Sequence, residues 1–332
     1  MAGWGVLAAV LLAVQLHAIV PEPHNLQLLS FWVAQGAGYF HDEGVDLTLE
    51  VPPTPGEVRD LLDKSSAPVA VLPPPIYLEQ IAARGPWRLV ANLLRNDPIN
   101  IVVRRSVVAA RKIMLQAPVD ERLRALRGVR IAVPPGPASR FAALVSAAGL
   151  DAAKDFQIVT MMGAEENEAF AQGRVDALFA HTPFLERALV DEDAVIVVNQ
   201  SAGEVGRVTF KQIHALAVRA DFAAKQPKLV SAMVRAIARA ERLIHGDRKA
   251  AVDAICKAQP SLDRKHVETI VDVYEPAVPA TPEVSVDGLR AALALFPANK
   301  VPPKLDGIDL RKYVLPRFAH DEAIRSTSER SR

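Results

Sequence analysis

The sequence contains one cysteine, Cys256, among 332 residues. A single cysteine excludes an intramolecular disulfide and a metal site built from several thiolates. The formal net charge is +1, with 39 basic and 38 acidic side chains, so the composition does not indicate a nucleic-acid-binding surface. The sequence also lacks a hydrolase nucleophile elbow, a phosphate-binding loop, a dinucleotide-binding glycine motif and a zinc-peptidase helix. The histidines show no metal-ligand spacing, so we predict no catalytic residue, metal or cofactor.

The first 18 residues, MAGWGVLAAVLLAVQLHA, contain an apolar run about as long as the core of a signal peptide. The run is short for a membrane span, and nothing later in the chain resembles one. We therefore predict a signal peptide over residues 1–18, cleaved near Ala18, and a periplasmic location. The positive residues that normally begin such a peptide are missing, and the alternative is a buried first strand or helix.

Strand and helix patterns alternate through the first third of the chain. Short apolar or alternating runs bounded by turn residues predict strands at Leu26–Phe31, Val45–Val51, Val69–Leu72 and Trp87–Leu93. Helical patterns lie between these runs. The alternation predicts an α/β lobe.

A second α/β segment runs from Leu126 to Leu189. Val129–Val133 and Val175–Phe179 read as buried parallel strands, each followed by a loop and a helix. We predict Ser139 as the cap of the first of these helices and Thr182 as the cap of the second. In a doubly wound sheet, ligands bind at such loops, beyond the carboxyl ends of the strands.

Several segments together carry a family resemblance. LRGVRIAVPPGPAS, a helix ending in AAGL, and AFAQGRVDALFAHTPF resemble the second lobe of periplasmic substrate-binding proteins. The proteins concerned serve ABC importers for nitrate, sulfonates, taurine and thiamine-precursor pyrimidines. SFWVAQGAGYFHDEGVDLTLE and APVAVLPPPIYLEQIAARGPWRLVANL are similar to the first lobe of that family. The similarity covers most of residues 24–245.

The resemblance implies a type II periplasmic binding protein fold: two Rossmann-like α/β lobes joined by two crossing segments. Residues 24–98 and 214–320 would form lobe I, residues 99–213 lobe II, and residues 321–332 a polar tail. A monomer would hold a small organic anion, such as a sulfonate or carboxylate, between the lobes. It would then deliver this solute to the permease and ATPase subunits of an importer.

The candidate ligand-binding residues of lobe I lie at strand ends. Phe31 and Trp32 could form an apolar wall, although core packing explains them about as well. The remaining candidates are Leu72 and Pro73, on the third strand-to-helix loop, and Asn92, at the end of the fourth strand.

The candidates of lobe II lie on two strand-to-helix loops. The start of a helix favours an anion, and an arginine there can form a bidentate contact with it. Pro137 removes one backbone donor from the first loop. The predicted residues are Gly136, Ala138, Ser139, Arg140, His181 and Thr182.

Two other functional classes stay open. An enzyme on the same scaffold, like the thiamine-pyrimidine synthase or some menaquinone-pathway enzymes, is one alternative. The cysteine-rich iron motif of that synthase is absent, because Cys256 stands alone. A periplasmic sensor that presents its closed form to a receptor is the other, and it would use the same closure.

Overall fold

The computed structural model describes residues 13–206, 210–295 and 304–319. Its strands form two mixed sheets, so the prediction of two α/β lobes is confirmed. The strands are β1 Val14–Ile19, β2 Val45–Glu50, β3 Val69–Leu72, β4 Trp87–Asn92, β5 Asn100–Arg104, β6 Arg130–Val133, β7 Gln157–Thr160, β8 Ala177–Ala180, β9 Ala194–Val198 and β10 Ala215–Arg219.

The sheet of the first lobe has the order β2-β1-β3-β10-β4. Strand β1 runs parallel to β2 and β3, whereas β10 runs antiparallel to β3 and β4. The sheet of the second lobe has the order β7-β6-β8-β5-β9, with β6 parallel to β7 and β8 and with β5 antiparallel to β8 and β9. Each connection between the lobes therefore leads into one strand, β5 or β10, that is antiparallel to both neighbours and fourth in the order of its sheet.

Helices cover these sheets. They are α1 Leu29–Gly36, α2 Tyr39–Asp42, α3 Pro55–Lys64, α4 Pro74–Ala82, α5 Arg105–Ala110, α6 Val119–Ala125, α7 Ala138–Ala147, α8 Ala152–Asp155, α9 Ala164–Ala171, α10 Leu185–Asp191, α11 Ala220–Lys225, α12 Pro227–Gly246, α13 Arg248–Ala258, α14 Arg264–Tyr274 and α15 Val286–Ala291. Among the described residues, no helix combines the length and the apolar character needed to cross a membrane.

The N-terminal strand spans the predicted cleavage point. All six residues of β1 pair with β2, and the strand also pairs with β3 through Ala18 and Ile19. Cleavage near Ala18 would remove five of these six residues from the interior of the sheet. The alternative of a buried first strand is the one that fits residues 14–19. Residues 1–12 of the predicted signal peptide and the predicted tail at 321–332 lie outside the described residues.

The strand predicted at Leu26–Phe31 is wrong. Leu26–Leu28 forms a short 3-10 helix, capped by the side chain of Asn25, and α1 follows directly. Seven of the eight residues of α1 are buried. Because the helix has almost no solvent-facing polar residues, the sequence lacks the periodic polar positions that indicate a helix. The other three strands predicted in the first lobe are confirmed within one or two residues.

Tight helix packing supports the first lobe. The stripe on α12 that includes Val230, Met233 and Ile237 is buried, as its spacing predicts. Helix α1 packs against α12 and α13. Gly36 permits this approach, because a Cβ atom there would lie 1.8 Å from the backbone oxygen of Ala254.

Hydrogen bonds tie together the two crossing segments, of which the first connects β4 to β5 and the second connects β9 to β10. Nδ2 of Asn96 donates to the backbone oxygen of Ser201 at 2.9 Å, and Nδ2 of Asn100 donates to the Ser201 hydroxyl at 2.9 Å. Gln200 donates to the backbone oxygen of Ile99. The connections are thus held side by side where the lobes meet.

Candidate functional site

A cavity of about 170 Å³ lies between the two lobes. For scale, a cavity of roughly 150 Å³ admits a benzene-sized molecule. Both lobes and the first crossing segment contribute to its wall. The lining residues are Pro21, Glu22, Asn25, Gln27, Pro73, Pro74, Pro75, Pro98, Ile99, Arg140, His181, Ile213 and His214.

Sheet topology explains why distant segments meet at this cavity. Strands β1 and β3 are parallel, so the segments after Ile19 and Leu72 leave the same edge of the first sheet. Strand β10 is antiparallel, with Ala215 opposite Leu72, and therefore His214 lies at that edge too. In the second lobe, His181 follows β8 directly, and Arg140 lies in the first turn of the helix after β6. This edge is where open α/β sheets bind ligands.

Gln27 connects two histidines across the cleft. Its Nε2 lies 2.9 Å from Nδ1 of His181, in the second lobe, and its Oε1 lies 2.9 Å from Nε2 of His214, in the first. The backbone oxygen of Thr182 is also 2.5 Å from Nδ1 of His181. One amide side chain therefore bridges the lobes at the cavity wall.

Burial disfavours the charged form of both imidazoles. Burial, together with smaller contributions from the nearby His181 and Arg140, lowers the pKa of His214 to about 3. Burial also lowers the pKa of His181, against a smaller opposing effect of the Thr182 backbone. A neutral imidazole carries one N–H donor and one acceptor nitrogen. Nδ1 of His214 is buried and has no partner among the described residues.

Arg140 is paired within the protein. Its Nη1 donates to both carboxylate oxygens of Asp97, at 3.0 and 3.1 Å. Asp97 is 1% exposed and also accepts the backbone N–H of Ile99. Glu22 places a second carboxylate in the wall, where it accepts from Nδ2 of Asn25 at 2.8 Å. The positive charge of Arg140 is therefore balanced by Asp97 before any solute enters.

Three of the residues predicted from the sequence line the cavity. They are Pro73, from the loop after β3, and Arg140 and His181, from the second lobe. The structure thus brings residues from both predicted loop sets to one cavity.

The other predicted residues of the first lobe lie in its interior. Phe31 and Trp32 are buried in α1, where their rings make an edge-to-face contact and the Trp32 indole N–H donates to the Asn25 backbone. Leu72 is buried in β3. Asn92 is buried as well, and its Nδ2 donates to the backbone oxygen of Lys211. Core packing, the alternative for the two aromatic residues, explains their placement.

The predicted anion cradle of the second lobe is absent from the cavity wall. Gly136, Ala138 and Ser139 are not among its lining residues. Helix α7 begins at Ala138 after Pro137, so Ser139 lies inside the first turn and makes no cap. Because Pro137 holds the position before the helix, no capping side chain is available there.

Thr182 is also not among the lining residues of the cavity. Its hydroxyl donates to Oε1 of Glu186 at 2.8 Å, and its backbone N–H donates to the Tyr274 hydroxyl. Helix α10 begins at Leu185, so Thr182 is not the residue that caps it. Thr182 instead contacts the first lobe through Tyr274.

Sequence reasoning missed Glu22, Asn25, Gln27 and His214. The strand predicted at Leu26–Phe31 places Gln27 in a sheet, and no local pattern marks His214 as a cavity residue. VQLHAIV alternates like a strand, and the turn sequence PEPHN that follows it is the signal that could have found Glu22 and Asn25.

The cavity wall provides hydrogen-bonding groups and one ion pair. Among the described lining residues there is no serine, threonine, cysteine, tyrosine or lysine. Cys256 lies on α13, a helix that contributes nothing to this wall. Within the described ranges, no group of three or more histidine, cysteine, aspartate or glutamate residues could hold a metal ion.

Comparison with known proteins agrees with this architecture. Residues 25–251 match the family model described as NMT1/THI5 like. No curated protein matches the sequence.

Solved structures match the fold over most of the chain. The alkanesulfonate-binding protein of Xanthomonas axonopodis pv. citri, solved with bound MOPS, is 18% identical with a TM-score of 0.61, and the match covers 92% of this chain and 99% of that one. The periplasmic aliphatic sulphonate-binding protein of Escherichia coli is 16% identical with a TM-score of 0.63, covering 91% and 92%. A desulfurization enzyme is 16% identical with a TM-score of 0.63, covering 94% and 99%.

Proposed function

The chain belongs to the NMT1/THI5-like family and has the type II periplasmic binding protein fold, and from this premise we propose that it is the solute-binding component of an ABC importer. It captures a small organic solute between its lobes and presents the closed form to the permease. The observation that carries this proposal is the interlobe cavity, whose wall takes polar side chains from both lobes.

Direct contacts between the lobes support a closing mechanism. Besides the Gln27–His181 contact, the Tyr274 hydroxyl donates to the Pro98 backbone at 2.7 Å and accepts the N–H of Thr182 at 3.3 Å. Nε2 of His266 lies 3.1 Å from the Asp191 carboxylate on α10. A solute that contacts both lobes favours this arrangement, because its affinity for the closed state exceeds that for the open one.

The charges of the cavity wall bear on the choice between an anionic and a neutral solute. The sequence favours an organic anion, and the sulfonate-binding proteins of the same fold are compatible with that choice. Arg140 is the cation that would serve an anion, yet it pairs with buried Asp97, and Glu22 adds a further negative charge. The site therefore offers an anion little uncompensated positive charge, although the buried Nε of Arg140 lacks a partner among the described residues.

The proposal includes the cellular setting. As an importer component, the protein would act as a monomer in the periplasm and contact the permease and its ATPase subunits. The alternative of an enzyme on the same scaffold has one observation in its favour, the similarity in fold to the desulfurization enzyme.

Thermal denaturation of the full chain with a panel of solutes tests the proposal. The panel contains sulfonates, carboxylates, carboxamides, nitrate and pyrimidines, and solute retained by the native protein is released by denaturation and identified by mass spectrometry. At a hundredfold excess over its dissociation constant, a ligand specific for the folded state adds about 2.7 kcal/mol of stability.

The matched variants are His181→Ala, at the cavity, and His41→Ala, at an exposed side chain of helix α2. Binding that is saturable, lost in His181→Ala and kept in His41→Ala supports the proposal, provided that the compound is recovered unchanged. Absence of any shift and of any released solute contradicts it, and consumption of the compound supports the enzyme instead.

A further inference from the structure

Nδ1 of His214, which has no hydrogen-bond partner among the described residues, limits the chemistry of the solute that suits this cavity. His214 is 6% exposed and lines the cavity, and Nε2 of its ring is used by Gln27. Nδ1 is buried without a partner among the described residues. A buried polar atom left unpaired is unfavourable, so a bound solute that pairs with it gains affinity.

Gln27 couples the proton positions of the two histidines. A side-chain amide has one donor end and one acceptor end. If Nε2 of Gln27 donates to His181, then Oε1 accepts from Nε2–H of His214. Nδ1 of His214 is then an acceptor, and Nε2 of neutral His181 is a donor.

Rotating the Gln27 amide by half a turn exchanges the donor and the acceptor in each of these hydrogen bonds. Oε1 of Gln27 then accepts from Nδ1–H of His181, and its Nε2 donates to Nε2 of His214. The remaining nitrogens become a donor on His214 and an acceptor on His181. The Thr182 backbone oxygen, 2.5 Å from Nδ1 of His181, favours this second arrangement, because a carbonyl can only accept from that nitrogen.

Both arrangements leave the same pattern for a solute. Of the two remaining nitrogens, Nδ1 of His214 and Nε2 of His181, one is always a donor and the other always an acceptor. Two neutral histidines without Gln27 could each turn a donor toward an anion. With Gln27 in place, they cannot both do so.

The charges of the wall act in the same direction. Arg140 contributes one positive charge, and Asp97 and Glu22 contribute two negative charges. An anionic solute would therefore enter a site whose nearby formal charge is already negative. Like charges in a partly buried site repel.

Resting on the proposed function, we propose that this site selects a neutral solute whose hydrogen-bond donor and acceptor lie side by side, as in a carboxamide or lactam. His214 and His181 determine this specificity, and Gln27 sets their complementary roles. A carboxylate or sulfonate of the same shape offers acceptors only, and it leaves the acceptor histidine unpaired.

Pairs of isosteric compounds test the selection on the full chain by calorimetry. The pairs are acetamide and acetate, benzamide and benzoate, and nicotinamide and nicotinate. We expect the amide of the best-bound pair to bind at least tenfold more tightly than its acid. Tighter binding of the acids overturns this inference and leaves the proposed function standing, whereas absence of binding by every compound here and in the wider solute panel overturns both.

The role of Gln27 is tested with Gln27→Met, which keeps the volume and removes both hydrogen bonds. Gln116→Met, at an exposed position away from the cavity, is the matched control. We expect the ratio of amide to acid affinity to fall about tenfold in Gln27→Met and to stay unchanged in Gln116→Met. A purely structural role would weaken both members of a pair equally, and an unchanged ratio in Gln27→Met overturns the assignment.

Nitrogen NMR of the solute-free protein gives a second readout. Because Gln27 contacts Nδ1 of one ring and Nε2 of the other, the two histidines must share one tautomer. We expect both to be protonated on Nδ1. One Nδ1–H and one Nε2–H tautomer would contradict the coupling through Gln27.

Discussion

Nη1 of Arg140, in the first turn of α7, lies within 3.1 Å of both carboxylate oxygens of Asp97, which belongs to the first crossing segment. This ion pair links a helix of the second lobe to the connection between the lobes. Asp97 is almost completely buried, whereas the Arg140 side chain is 22% exposed. The contact therefore has a structural role in addition to its place in the cavity wall.

Arg140→Met should lower the free energy of unfolding by about 3 kcal/mol, because it leaves the buried Asp97 carboxylate without its counter-charge. Urea denaturation measures this loss. Arg187→Met, at an exposed position, is the control and should change stability little. Adding Asp97→Asn to Arg140→Met should restore much of the loss, and a double variant as unstable as the single one would contradict the pairing.

Tyr274→Phe should destabilise the closed arrangement by about 1 to 3 kcal/mol. The variant removes one hydroxyl and leaves two buried groups unpaired, the Pro98 carbonyl and the Thr182 N–H. Urea denaturation gives the stability, and small-angle scattering gives the fraction of closed molecules. Tyr39→Phe is the control, since the Tyr39 ring contacts Arg239 through its face. Equal effects of the two substitutions would argue against the interlobe role.

Glu186 should make the protein less stable as the pH rises from about 4.5 to 7. Burial raises the pKa of Glu186 to about 7, although the Thr182 hydroxyl partly opposes this shift. Between the unfolded and folded values, the folded state holds a proton that the unfolded state lacks, so the unfolding free energy falls with pH. Glu186→Gln should remove about 3 kcal/mol of this decline. Denaturation across that pH range checks it, with exposed Glu165→Gln expected to behave like the parent protein.

Glu241→Met should stabilise the protein at pH 8 by about 1 to 3 kcal/mol. Glu241 lies on α12, is fully buried, and neither carboxylate oxygen has a partner among the described residues. Burial raises its pKa well above the usual range, so the folded state favours the protonated carboxyl more strongly than the unfolded state does. Calorimetric melting of this variant and of exposed Glu121→Met provides the comparison. A lower melting temperature for Glu241→Met would show that the carboxyl has a partner in solution.

Removal of residues 2–18 should prevent folding, whereas removal of residues 2–12 should leave the described sheet intact. The longer deletion takes five of the six residues of β1 from between β2 and β3. Circular dichroism and gel filtration of the two proteins distinguish the outcomes. A folded product from the longer deletion would mean that β1 is dispensable.

The sequence predicts most of the alternating framework, because short β-branched runs and capping residues are local signals. Val69–Leu72 and the stripe on α12 are examples in which the local pattern agrees with the tertiary environment. The strand prediction at Leu26–Phe31 was wrong because the helix there is buried on nearly all sides and lacks the polar positions that mark a helical period.

The site is less predictable, because its geometry depends on segments far apart in the chain. Topology alone places His181 and Arg140 near the cleft edge, so loop position was enough to find them. Gln27 and His214 are 187 residues apart, and no local pattern indicates their hydrogen bond. The balance between Arg140 and Asp97 is likewise a tertiary property, and it alters the chemistry that Arg140 alone predicts.

The position of β10 between β3 and β4 also sets an order for assembly during synthesis. Every strand of the second sheet lies between residues 100 and 198, so that sheet can complete as soon as this segment has left the ribosome. The first sheet has its first four strands synthesised earlier, but a gap remains until residues 215–219 arrive. The lobe that begins the chain is therefore the last to close its sheet, and its exposed β3 and β4 edges must be protected from pairing with other chains in the interval.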